Sequence, residues 1–138
     1  MSGEMDLRVL LTSLDAVADE AIYVFVTVDE TDVPSGINAR MVFQEAEGTT
    51  LILLKEEAVR LGIPYEFPCH MITLNVHSAL NAVGFIAHVA SALASANMGV
   101  NPVAGYFHDH LFVPEGRQND ALDVLERLKQ EAQSAAFL

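Results

Sequence analysis

The chain has no tryptophan, one cysteine and only seven lysines and arginines in 138 residues. One thiol, Cys69, excludes an internal disulfide and any metal site built on a cysteine pair, and it suits a reducing cytoplasm, the expected location. Seven basic residues against nineteen acidic ones leave a formal charge of -12. A surface of that sign repels nucleic-acid phosphates and anionic lipid headgroups, so neither nucleic acid nor a membrane is an expected partner. The opening MSGEMD lacks the positive patch and apolar run of a secretory leader, and none is expected.

A further absence is internal. Between Glu66 and Asp109 there is no Asp, Glu, Lys or Arg, although the chain carries 26 of them, seven basic and nineteen acidic. The run is longer than the ~20 residues that span a bilayer. However, His88, Ser91, Ser95, Asn97, Asn101 and Pro102 interrupt it, Ala and Gly replace Leu and Ile, and no Lys or Arg flanks it, which argues against a transmembrane helix. The segment is therefore covered by protein. With 51% hydrophobic residues, further burial in a homodimer or higher homo-oligomer is expected. The length suits one compact domain, or two small halves that share a core.

Two periodicities organise what is present. Leu7, Leu10, Leu11 and Leu14 form the stripe of a short helix, although alternation of Leu7, Val9 and Leu11 also fits a strand. Ile22 to Val28 is β-branched and aromatic, a buried strand, and the acidic Asp29 to Gly36 a solvated turn. Ala39 to Glu45 and Thr49 to Leu54 read as a hairpin turning at Gly48, then Lys55 to Leu61 as a helix stopped by Gly62. Tyr65 to Cys69, with Pro64 and Pro68, reads as a link. Met71 to Val76 alternates as a strand, and Ser78 and Asn81 read as N-caps of a helix closed by Gly99. That helix carries a large stripe (Phe85, Ile86, Val89, Leu93) for the sheet and a small one (Gly84, Ala87, His88, Ser91, Ser95) for another element. Val100 to Phe107 and Leu111 to Pro114 follow as strands around a His108-Asp109-His110 turn. Gln118 to Glu131 is a final amphipathic helix. The second half is thus a split βαβ unit lacking a closing strand, which Ala135 to Leu138 or the first half must supply.

ITLNVHSALNAVG, NPVAGYFHDHLFVP and a helix containing ALDVL resemble the ACT domain family. The likeness is strongest to ACT-like proteins of unknown function that share V-H-S-S-L-x-A-V-G and A-G-Y-x-H-D-H-x-F-V-P motifs, and more distant to CASTOR-type arginine sensors. FQEAEGTTLILLKEEAVRLG is similar to the first-half hairpin and helix of the same proteins. Ser78-Ala79 stands where those proteins usually show two serines. The resemblance implies an α+β fold of two ferredoxin-like, βαββαβ halves, residues 1–66 and 67–138, sharing antiparallel sheets with helices on one face. It also implies regulation by a bound small molecule, typically an amino acid at a domain or subunit interface, rather than catalysis, and no cofactor.

A zwitterion needs donors for its carboxylate and acceptors for its ammonium. Main-chain amides around Asn81, Val83 and Gly84, with the Ser78 hydroxyl, supply donors at a helix start, where the helix dipole adds to them. Asn101, Val103, Ala104 and Asp109 supply acceptors. Two other readings stand beside this one: Ser78 and Asn81 as caps only, and the chain as an interaction module without ligand. His108 and His110 would flank Asp109 on one side of an extended strand and could hold a metal with His70 or His77, or Asp109 could simply stabilise its turn. Cys69 and His70 are adjacent, so their side chains would point apart, and no nucleophile is expected.

Overall fold

The computed structural model describes residues 2–29 and 33–135. Its elements are α1 (Leu7–Thr12), β1 (Ala16–Ala18), β2 (Tyr23–Val28), β3 (Met41–Gln44), β4 (Thr49–Leu54), α2 (Lys55–Leu61), β5 (Glu66–Leu74), α3 (Phe85–Ser95), β6 (Asn101–Ala104), β7 (Asp109–Pro114) and α4 (Gln118–Ala135). One antiparallel sheet runs β3-β4-β2-β5-β7-β6. β1 lies on the same edge of β5 as β2: Ala16 faces Leu74 and Ala18 faces Ile72, while Tyr23 faces Cys69.

β5 therefore belongs to both halves. The first half is β3-β4-β2-β5 with α2, and among the described residues its β2 to β3 connection carries no helix. The second is β1-β5-β7-β6 with α3 and α4. The closing strand sought in the sequence comes from the first half, as β1. The alternative, Ala135 to Leu138, has Ala135 in α4 and the remainder outside the described residues, as are positions 30–32 of the acidic turn.

Alternation along the strands sorts the side chains. Ile72, Leu74, Leu111 and Val113 point to the helix layer and pack with Leu10, Leu14, Phe85, Val89, Leu93 and Leu125. Val24, Val26, Leu51 and Leu53 do the same around Ala58 of α2. The opposite face carries Tyr23, Ile52, Cys69, Met71 and Phe112. There the rings of Tyr23 and Phe25 meet Phe112 edge-on at 6.1 and 5.9 Å. Burying each large side chain stabilises the fold by roughly 1.5–3 kcal/mol, so a charge at Val89 or Ile72 would break the helix layer.

Four local readings need correction. Tyr65 to Cys69 is mostly strand: β5 tolerates Pro68 because Phe67 takes φ 55 and the pairing with β2 shifts register there. α3 begins at Phe85, not near Ser78 or Asn81, because Gly84 at φ 93 reverses the chain at its N-cap and no side chain caps it. The helix ends at Ser95, and the left-handed residue beyond is Asn97 (φ 56), not Gly99. Its stop is the Met98 N–H donating to Leu93 O at 3.2 Å. Finally, the β6–β7 turn is Gly105 to His108, which places Asp109 and His110 in β7. The Gly105 N–H donates to His108 O at 2.9 Å, and a Cβ on Gly105 would meet that same oxygen.

Candidate functional site

The loop from His77 to Gly84 joins β5 to α3. Its Ser78 hydroxyl donates to Asp109 Oδ2 at 3.1 Å. Asp109 faces Leu74 across the β5–β7 ladder, so its side chain lies on the helix side of the sheet beneath the loop and is 8% exposed. Around this pair the rim is apolar and open: Val83 is 82% exposed, and Leu80, Tyr106 and Phe107 are exposed as well.

A second segment lies on the loop. The Glu4 N–H donates to His77 O at 2.7 Å and the Ala79 N–H donates to Glu4 O at 2.8 Å, which forms a parallel bridge between Glu4 and Ser78. Gly3 has φ +102, and a Cβ there would stand 2.7 to 2.9 Å from backbone atoms of Ala79 and Ser78, so only glycine fits. Three residues on, the Asp6 carboxylate accepts from the Arg8 and Val9 amides at 2.9 and 3.2 Å and starts α1. A side chain on Gly84 would touch Leu7 at 3.3 Å. The N-terminal segment, the loop and the starts of α1 and α3 thus form one packed unit.

The residues expected to bind ligand divide between the two sheet faces. Ser78 and Asp109 come together, and Ala104 lies opposite Asp109. Asn81 and Val83 are exposed on the rim, and Gly84 marks the helix start. Asn101 faces Phe112 and Val103 faces His110, which puts both on the helix-free face, away from Ser78. The reading of Ser78 and Asn81 as caps is overturned, since one hydroxyl serves Asp109 and α3 has no side-chain cap.

The histidines scatter for the same reason of alternation. His110 points to the helix-free face, its Nδ1 3.0 Å from Thr73 Oγ1, while Asp109 points the other way. Burial, then the neighbouring His108, lowers the His110 pKa below its ordinary value; Asp109 opposes this and Arg40 adds to it. His70 is buried on the helix side and donates from Nδ1 to Asp19 O at 3.2 Å. His88 is exposed and donates to Gly84 O at 2.8 Å. Among the described residues no three His, Cys, Asp or Glu side chains gather as a metal site. The Asp109 carboxylate satisfies a loop hydroxyl rather than its own turn. Cys69 is fully buried, donates to Tyr23 O at 3.3 Å, and burial pushes its thiol up to about 12.

Surface grooves elsewhere include about 470 Å³ between α3 and α4, about 530 Å³ beside the start of α2, and about 540 Å³ along β1 past His70 and Gln118. None of the three is lined by the loop. Sequence reasoning missed Gly3 and Glu4; a glycine one residue ahead of an acidic, capped helix start was the available signal. It also missed the helix-free cluster in which Arg40 Nη2 donates to Tyr23 Oη at 2.6 Å and that hydroxyl donates to Asp19 Oδ2 at 3.1 Å.

Two split βαβ units fused through one strand define a tandem ferredoxin-like protein. In comparison with protein families, one ACT domain model matches residues 2–70 and a second matches residues 66–127. The chain belongs to the ACT domain family, whose domains are regulatory. Among solved structures it is similar to a protein of unknown function from Vibrio cholerae described as a possible transport protein. That likeness has 37% identity and a TM-score of 0.80, and covers 89% of this chain and 95% of that one. It is also similar to a protein from Agrobacterium tumefaciens (14% identity, TM-score 0.72, 84% of this chain and 89% of that one). The regulatory subunit of aspartate kinase from Thermus thermophilus shares the fold (12% identity, TM-score 0.60, 84% and 99%). Comparison with curated proteins gave no match. Among the described residues no helix is long and apolar enough to cross a membrane.

Proposed function

We propose that this protein is a cytoplasmic ACT-type regulator that binds an α-amino acid at the His77–Gly84 loop, with a second copy of the chain completing the site. The observation that carries the reading is the half-buried hydrogen bond from Ser78 to the buried Asp109, at the base of a loop that opens into an uncapped helix start. The loop's main-chain amides, with the uncapped first turn of α3 beyond them, attract a carboxylate, and the Asp109 side chain at the base of the loop favours an ammonium. The exposed Leu80, Val83, Tyr106 and Phe107 support completion by a partner surface, since apolar rims of this kind belong to interfaces. Asn101 and Val103 drop out of the proposed site because their side chains lie on the other sheet face.

Thermal-shift screening of the full chain against the twenty amino acids tests the reading. A ligand at 100 times its Kd stabilises the fold by about 2.7 kcal/mol. With an unfolding entropy of about 2.1 cal/mol/K per residue, that raises Tm by roughly 9 °C. A folded sample that no amino acid stabilises would sink the proposal.

A second reading, an interaction module without ligand, draws on the edge strand β3, where Val42 is 58% and Phe43 63% exposed. Such an edge offers unpaired main-chain groups and apolar side chains to another chain. A response to Phe43→Lys in light scattering, with none to any amino acid, would favour it.

A further inference from the structure

We propose that Glu4 is an internal stand-in for the amino acid: its main-chain atoms occupy the loop's donor and acceptor until a free α-amino acid displaces them. The inference rests on the amino-acid reading above and concerns how that site is regulated. Toward the N-terminal segment the loop presents an acceptor, His77 O, and a donor, Ala79 N–H, and a single residue satisfies both, through the Glu4 N–H at 2.7 Å and the Glu4 carbonyl at 2.8 Å. A free α-amino acid carries its nitrogen and its carboxylate on one carbon, the same N, Cα, C arrangement that Glu4 presents. Its ammonium would donate to His77 O and its carboxylate accept from Ala79 N–H. Both bonds would be charge-assisted, whereas those of Glu4 are neutral, and charge-assisted bonds are the stronger kind. Two occupants cannot share one pair of main-chain groups, so they compete.

The seating of Glu4 supports a reader of main-chain atoms. Its side chain does not enter the loop; Oε2 accepts from the Met5 and Asp6 amides at 2.9 and 3.1 Å. Close approach is secured by Gly3, where any Cβ would collide with the loop backbone. The segment also leads directly into α1, whose Leu10 and Leu11 pack in the layer formed by α3 and α4. Displacing Glu4 would therefore free the chain that anchors α1, which links occupancy to the helix layer.

The test compares the native chain with its Gly3→Val and Glu4→Pro variants; the first blocks close approach and the second removes the Glu4 donor. In the native protein the Ala79 amide should be protected from hydrogen exchange. In both variants that protection should be lost while amides of β5 and β7 keep theirs. Calorimetry with each of the twenty amino acids should then find at least one that binds both variants about tenfold or more tightly than the native protein, because an occupied fraction of sites no longer competes. Equal affinity in all three proteins would overturn the competition and leave the amino-acid reading standing. Loss of binding in folded variants would make the segment a wall of the site instead, and would also overturn it. If no amino acid binds any of the three, the amino-acid reading fails and the inference falls with it. Should Gly3→Val not fold, Glu4→Pro decides alone.

Discussion

Replacing Ser78 by alanine isolates the interaction at the centre of the loop. The hydroxyl donates at 3.1 Å to a carboxylate that is 8% exposed, so its removal leaves a shielded acceptor short of a donor. Hydrogen bonds to charged groups contribute about 1.5–3 kcal/mol net. For a 138-residue chain the unfolding entropy is roughly 290 cal/mol/K, so the melting temperature should fall by roughly 5–10 °C. The control is Asn81→Ala. If Asn81 capped the helix, its loss would cost about 1 kcal/mol, whereas an exposed rim residue should change stability by less than about 0.5 kcal/mol. A double-mutant cycle with Asp109→Asn completes the assay, read by urea denaturation at fixed protein concentration. Once the charge is gone, Ser78→Ala should cost only about 0.5–1.5 kcal/mol, the contribution of a neutral bond. The reasoning is refuted if Ser78→Ala is silent, or if the two substitutions add without coupling.

Four further outcomes follow from shielded titrating groups and from a helix end. With its thiol at about 12, Cys69 should resist thiol-exchange reagents at pH 8 until the chain unfolds; rapid labelling under native conditions would contradict the burial. The raised pKa means that the unfolded chain loses this proton first, so the thiol's contribution to stability should decline by about 1.4 kcal/mol per pH unit above the ordinary thiol value of 9.0 and level off near 12, a contribution that Cys69→Ala removes. His110 has the opposite sign of shift for a base, so the unfolded state takes up its proton first. The stability it confers should be complete above the ordinary histidine value of 6.5 and lost as pH falls through the lower folded pKa, with His110→Gln flattening the acid limb of a stability profile. Asn97 holds φ 56 at the end of α3, so Asn97→Gly should be neutral or mildly stabilising in thermal unfolding, while Asn97→Val should cost on the order of 1–2 kcal/mol.

Most strands and helices could be read from the chain because burial on one side imposes a period. Leu51 and Leu53 against Ile52, or Ile72 and Leu74 against Met71, are alternations that only a sheet with two distinct faces produces. The start of α3 could not be read, because Ser78 and Asn81 look like caps in any window of sequence while the partner that claims Ser78, Asp109, is 31 positions away. For the same reason Asp109 was misplaced in a turn: His-Asp-His has turn composition, and only the ladder with β5 shows it to be strand. The residues that motif grouped into a candidate site are not all brought together by the fold. Asn101 and Val103 alternate with their neighbours, and the face each presents depends on the register of β6 against β7, which no local pattern encodes. The contact of Gly3 and Glu4 with the loop is longer in range still, spanning over 70 positions.

β5 is hydrogen-bonded to β2 and β1 along one edge and to β7 along the other, so both units are completed by the same nine residues. Such a protein cannot behave as two beads on a string. A displacement of this strand from the β2 side would also reach its pairing with β7. Cutting the chain at its centre would therefore leave two fragments, each missing a stave.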